Sequence, residues 1–413
     1  MITETRVTLR NLGKINPLSI DEYIAAGGYE ALAKTLSGSR SQVIDDIISS
    51  RLKGRGGAGF STGLKMKYTN ESRNKSGQKY LICNADEGEP GTFKDRIIME
   101  NDPHLLLEGM IIAAYGIGAQ MSYVYIRGEY HESIEKVQKA IEAARKKGFI
   151  GKNILQSDFS FEVEVRIGAG SYLCGEELTL LESLEGNRGY PRIKPPFPAE
   201  KGLYGMPTLV NNVETLATIP SIMANGPDWY NKLGTPDSAG TKIFTISGDV
   251  VNPGFFEVEM GTTLRQLVFE LAGGIKNGGK LKAILIGGAA GTFVDETVLD
   301  TPTGFDSLKE KGAVLGSGAV MVFSMDKSIP IVTKSVLDFF KHESCGKCVP
   351  CRIGTDRLSR MMSEYVRGEY KGGKVLDDML AEADYMAKTS LCPLGQSPVM
   401  PLRSLKLYFS SHF

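Results

Sequence analysis

The chain has 413 residues, 42% of them hydrophobic, which allows several domains with full cores and excludes a disordered protein. Its 48 basic and 48 acidic side chains cancel to zero net charge, so nothing draws it globally to nucleic acid or anionic lipid. The N-terminus shows no basic segment followed by an apolar stretch, and the longest weakly polar run, residues 109–119, is shorter than the roughly 20 residues a membrane helix needs. The expected setting is cytoplasmic, with no direct membrane insertion and no nucleic-acid partner.

Residues 1–53 read as a helical lead-in, ending where Val43, Ile44, Ile47, Ile48 and Leu52 recur at helical spacing. From 54 to 235 short apolar strands, at 80–83, 122–126 and the period-two run Phe161, Val163, Val165, Ile167, interleave with helices. That order predicts an α/β domain with a largely parallel sheet covered on both faces. Residues 236–328 change texture. Strands at 243–246 and 255–260 flank an Asn252-Pro253-Gly254 turn, and a helix bearing Leu264, Leu267, Val268 and Leu271 ends at Gly273-Gly274. With strands at 283–286 and 319–323, this predicts a β-grasp module. Residues 329–413 read as a helical bundle, with one stripe of Leu358, Met361, Met362 and Tyr365 and another of Leu376, Met379, Leu380, Ala383 and Met386.

Three loops carry chemistry. Gly54-Arg55-Gly56-Gly57-Ala58-Gly59 satisfies the dinucleotide pattern G-x-G-x-x-G, but a helix precedes it where a strand is required, which disfavours an ordinary Rossmann site. Backbone without Cβ atoms can still approach a ring or phosphate, with Lys65 supplying charge; a tight structural turn is the alternative. The strand at 80–83 runs into Asn84-Ala85-Asp86-Glu87-Gly88-Glu89, at the carboxyl edge where such sheets bind ligands. Without a nearby histidine, these carboxylates suit hydroxyl recognition better than metal chelation. The third loop, residues 168–177, joins a strand to a helix, the order a cofactor site wants.

Cys345, Cys348 and Cys351 fall within seven residues, and Cys392, followed by Pro393, returns after a two-helix excursion. This is ferredoxin-like spacing and favours an iron-sulfur cluster; structural zinc, which usually takes two separated pairs, is the rival. Cys83 and Cys174 are isolated and read as packing residues.

Taken together, GRGGAGFSTGLK from Gly54, NADEGEPGTFKDR from Asn84, GAGSYLCGEE from Gly168, KPPFPA from Lys194, NNVET from Asn211 and ESCGKCVPCRIGT from Glu343 closely resemble one family. It is the NADH-binding, FMN-containing subunit shared by respiratory NADH dehydrogenase (complex I) and by NAD-linked [FeFe] hydrogenases and formate dehydrogenases. The resemblance implies a Rossmann-like FMN- and NADH-binding domain (54–235), a ubiquitin-like β-grasp domain (236–328) and a helical bundle (329–413) holding a [4Fe-4S] cluster on Cys345, Cys348, Cys351 and Cys392. By the same resemblance FMN lies against Gly54, Arg55, Gly56 and Gly57, among Lys65, Asn84, Asp86, Glu87, Gly175, Glu176, Asn211, Asn212 and Thr215. NADH is then expected at Phe60, Lys65, Tyr68, Glu89, Tyr172, Glu177, Lys194 and Phe197. No protein acid or base is implied: hydride passes to FMN and single electrons to the cluster. Glu177 near the adenine ribose implies preference for NADH over NADPH. The chain has no cysteines for further clusters, so the implied partners are a [2Fe-2S] thioredoxin-like subunit and a larger iron-sulfur or catalytic subunit. Residues 10–17 and 22–25 look nearer the hydrogenase branch. A non-catalytic, zinc-binding scaffold is the reading from a different class.

Overall fold

The structure, a computed structural model, describes residues 2–74 and 76–413. Four parallel strands, β1 (Tyr80–Ala85), β2 (Met121–Ile126), β3 (Glu162–Ile167) and β4 (Thr208–Asn212), form the first sheet in the order β3-β2-β1-β4. Parallel pairing requires crossovers, and helices supply them. Pro103–Ile117 is buried along its whole length, so the apolar run seen in the sequence is a core helix. It packs closely on Val213–Asn225: a Cβ on Gly109 would come within 1.9 Å of the Leu216 carbonyl oxygen. Among the described residues no helix is long and apolar enough to cross a membrane.

After a two-residue ladder, β5 (Gly234–Thr235) with β6 (Ser238–Ala239), comes a mixed sheet of β7 (Thr241–Gly248), β8 (Gly254–Glu259), β9 (Leu281–Ile286), β10 (Thr292–Val294) and β11 (Ala319–Ser324). Its order is β10-β9-β11-β7-β8, and β11 runs parallel to β7. The segment expected as an α-helix here is a π-helix, Gln266–Leu271. Its start is tied to neighbouring loops by Arg265 N–H on the Leu299 carbonyl, and the wider winding lets Ala272 N–H bond five residues back to Leu267.

The last part is helical, with Ile329–Glu343, Val349–Val366, Val375–Thr389 and Val399–Tyr408 enclosing Leu337, Phe340, Leu358, Met362, Met379, Met386 and Leu402. The lead-in differs from the expectation. Helices occupy only Ile20–Ala25, Glu30–Leu36 and Arg40–Ser49. Residues 4–9 instead lie beside β8, where the buried Glu257 carboxylate accepts backbone N–H bonds from Val7, Thr8 and Leu9 at 2.8–3.0 Å.

Candidate functional site

Strands β1, β3 and β4 end on the same edge of their sheet, because all run parallel, and each delivers a loop there. Asn84, the penultimate residue of β1, donates from Nδ2 to the Gly175 carbonyl at 2.7 Å and accepts from Asp86 N–H at 3.2 Å, which locks the first acidic loop to the loop after β3. Glu176 caps the helix Glu177–Leu184, its Oε2 accepting from Leu178 N–H and Thr179 N–H. Asn212 ends β4 and caps Val213–Asn225 in the same way, through Glu214 N–H.

These loops surround a cavity of about 550 Å³. Of the residues expected at FMN, Gly56, Gly57, Asn84, Asp86, Glu87, Gly175, Glu176 and Asn212 line it, as do Glu89 and Tyr172 from the NADH set. The glycine loop needs its glycines: a Cβ on Gly56 would meet Asn212 Cβ at 3.1 Å, and Gly57 has φ +137°. The opposite wall comes from the second sheet's loop, including Gly316 and Ser317, and from Pro393 and Leu394, which directly follow Cys392.

Other expected residues sit elsewhere. Arg55 is 1% exposed and turns away from the cavity, donating to the Tyr230 hydroxyl at 3.0 Å and the Ala239 carbonyl at 2.7 Å. Its N–H is taken by Thr215 Oγ1 at 2.8 Å, so both residues brace the loop from behind. Lys65 does not line the cavity; its ammonium lies between Glu177, at 2.8 Å, and the Val210 carbonyl. Lys194 contacts Glu177 at 2.8 Å and Glu176 at 3.0 Å. Phe60, Tyr68 and Phe197 present half-exposed rings on neighbouring elements, the helix Thr62–Glu71 packing against Pro198–Lys201.

The sequence reading missed Lys94 and Asp95. Lys94, 1% exposed, contacts Asp95 at 2.6 Å, Glu214 at 3.0 Å and Asn212 Oδ1 at 3.1 Å, and with Asp95 forms part of the cavity wall. The signal lay in the long motif from Asn84, whose Lys94-Asp95 pair opens the helix Lys94–Asn101. That helix also receives Glu87, whose carboxylate accepts Asp95 N–H and Arg96 N–H. Burial raises the Asp86 carboxyl to about 7, with Arg127 opposing the shift.

Among the buried polar atoms without a partner are Asp86 Oδ2, in the cavity wall, and Asn211 Nδ2, on β4 one residue before Asn212 and outside the lining. An acceptor-rich cavity with glycine backbone on one side and an unpaired polar atom fits a ribityl-bearing flavin. The thiols also fit their group. Cys351 and Cys392 are 4% and 6% exposed, and Cys345 and Cys348 are near enough to act on them electrostatically. Burial raises both buried thiols to about 11, so a cluster held here would have to supply the charge that keeps them as thiolates. The backbone N–H groups of Leu394 and Gly395 oppose the rise at Cys392, where a short helix, Pro393–Gln396, begins.

Residues 47–221 match the Nuo51 FMN-binding domain, residues 243–290 the SLBB domain, and residues 331–413 the NADH-ubiquinone oxidoreductase-F iron-sulfur binding region. The F-type subunit of the NADH-quinone oxidoreductase of Aquifex aeolicus is 48% identical over 89% of this chain and 84% of its own length. The chain belongs to this family of FMN- and [4Fe-4S]-carrying NADH dehydrogenase flavoprotein subunits. An NADP-reducing hydrogenase subunit, HndC of Solidesulfovibrio fructosivorans, is 44% identical over 99% of this chain and 83% of its own. An NAD+-reducing [NiFe]-hydrogenase in the H2-reduced state superposes with TM-score 0.87 at 34% identity; the match covers 99% of this chain and 66% of that one. FMN and a [4Fe-4S] cluster are therefore this subunit's cofactors, and its relatives work within multi-subunit assemblies.

Proposed function

We propose that this subunit exchanges hydride with NADH at FMN in the cavity and hands single electrons to the cluster on Cys345, Cys348, Cys351 and Cys392, serving as the NAD-linked module of an [FeFe] hydrogenase-type complex. FMN supplies the chemistry, converting a two-electron donor into single electrons. The protein's part is placement. One observation carries the reading: the cavity wall includes Pro393 and Leu394, so the flavin cavity and the fourth cysteine are adjacent in the chain. Asn84, Gly175 and Asn212 would position the flavin, while Phe60, Tyr68, Phe197, Glu177 and Lys194, outside the cavity lining, would take the nucleotide. Each NADH oxidised would also release one proton once both electrons have left for the cluster; it would pass to solvent, so no side chain is assigned as acid or base.

The hydrogenase branch is supported by residues 10–17 and 22–25 and by the HndC relative, whose match extends over nearly the whole chain. A quinone-linked complex is the second reading, since a relative from a quinone oxidoreductase is at least as similar in identity. A thioredoxin-like [2Fe-2S] subunit and a larger iron-sulfur subunit are the proposed partners. Purifying the assembly through this subunit and assaying H2-dependent NAD+ reduction beside NADH:quinone reduction decides between them. The proposal expects hydrogen turnover and a hydrogenase subunit in the assembly. Quinone reduction without hydrogen turnover would assign the respiratory branch.

A further inference from the structure

We propose that Lys347 is a positioning residue for the pyridine nucleotide, acting from the cluster-binding loop through the segment 188–194; this rests on the nucleotide site proposed above. Lys347 lies between Cys345 and Cys348, yet its side chain reaches to a different part of the molecule. Its ammonium donates to the Pro191 carbonyl at 2.9 Å and sits 5.5 Å from the centroid of the Tyr190 ring. Arg188 places its guanidinium 4.8 Å from the same ring, so one aromatic face system takes two cations.

The segment that Lys347 holds has no helix or strand of its own. Its neighbours in sequence fix what it can do. Arg192 ties it to its own domain, contacting Glu182 at 2.5 Å and Glu185 at 2.7 Å, and Lys194 then meets Glu176 and Glu177. Ordering a chain without ladder hydrogen bonds depends on such side-chain anchors, and a lysine in the cluster loop is one of them. A second bond ties the cluster-binding region to the cavity wall instead of to this segment: Glu343, just before the cysteines, accepts from Tyr172 N–H at 3.0 Å, and Tyr172 donates its hydroxyl to Glu89.

A lysine serving only to set the cluster's charge has no need of a carbonyl from another domain. The contact instead joins two binding events. If Lys347 restrains the nucleotide segment, nucleotide binding must alter the cluster's reduction potential by the same free energy with which cluster reduction alters nucleotide affinity. The coupling travels through two named contacts, the Pro191 carbonyl and the Tyr190 ring, and each can be removed separately.

The test uses the full chain carrying FMN and its cluster. In Lys347→Met the KM for NADH, with ferricyanide as acceptor, is expected to rise about five-fold at unchanged kcat, the scale of one exposed cation–ring contact. Lys347→Arg, which keeps the cation, restores most of the affinity. Tyr190→Leu, outside the cluster loop, raises KM in the same direction and decides the matter if Lys347→Met does not assemble its cluster. Saturating NAD+ is expected to shift the cluster midpoint in the wild type, and this shift is lost in both Lys347→Met and Tyr190→Leu. Cluster-loaded variants with wild-type KM and an unchanged NAD+-induced shift would overturn the proposal, showing that Arg192 alone suffices. A wild-type chain whose flavin NADH does not bleach would overturn the proposed function instead.

Discussion

Glu177 sits between two ammonium groups, Lys65 and Lys194, each 2.8 Å away. Burial opposes its ionisation, but the two lysines prevail and hold its carboxyl down to about 2. It is therefore negative at any working pH, and with the adenine ribose placed here as proposed, an added phosphate on it would meet that charge at short range. The two lysines sharpen the prediction. Replacing Glu177 by alanine removes the repulsion and also frees Lys65 and Lys194, so the NADPH-to-NADH ratio of kcat/KM is expected to rise about ten-fold or more, a change of about 1.4 kcal/mol. Steady-state rates with both nucleotides check this, and an unchanged ratio would move the ribose elsewhere. The name of the HndC relative, an NADP-reducing subunit, makes this comparison informative. Glu177 itself was legible in the sequence through its motif. Its dependence on Lys65, 112 positions earlier, was not, since no local pattern encodes a pair that only the folded sheet edge creates.

At the scale of elements, legibility follows periodicity. β1, β2 and β3 announced themselves by short apolar or alternating runs, and the cysteine spacing marked the helical end as a cluster site. β4, Thr208–Asn212, was not read as a strand, because its five residues are too few for a period to show; only Asn211 and Asn212 in it were marked, as site residues, through the resemblance. The path of residues 2–19 was not readable at all. Val7, Thr8 and Leu9 in it are held by Glu257, 248 to 250 positions away, whose buried carboxylate accepts their three backbone N–H groups and the Thr241 hydroxyl at 2.6 Å. Glu257→Ala leaves those N–H groups buried without acceptors, and a loss of about 2–3 kcal/mol is expected. Chemical denaturation measures it, and faster proteolysis before residue 20 should accompany it. Loss of stability with an undisturbed N-terminal segment would assign the effect to the second sheet alone.

Across the whole molecule, the two sheets are joined by charge buried beside the cavity proposed for FMN. Lys242 on β7, 0% exposed at its side chain, contacts Glu214 at 2.6 Å, and Glu214 meets Lys94 at 3.0 Å, which reaches Asn212 at the cavity wall. Burial lowers the Lys242 ammonium to about 8, while burial of Glu214 is outweighed by Lys242 and Lys94, which hold its carboxyl below the ordinary range. Desolvating these ions is costly, so their presence argues for a role in specifying how the sheets meet more than for added stability. Lys242→Met tests that distinction. Glu214 keeps Lys94 and the Ile243 N–H at 2.9 Å, so the stability loss should sit near about 3 kcal/mol, the low end for breaking a buried pair. Flavin affinity should fall more than that loss alone explains, because Glu214, released from Lys242, no longer holds Lys94 in the position from which it meets Asn212. Titrating FMN into the deflavinated variant by fluorescence, beside its denaturation midpoint, separates the two effects. Equal flavin affinity at reduced stability would leave the ion chain a fastening between sheets with no hold on the cofactor, and would shift the placement of Asn212 onto Asp95, which accepts from its Nδ2 at 2.6 Å.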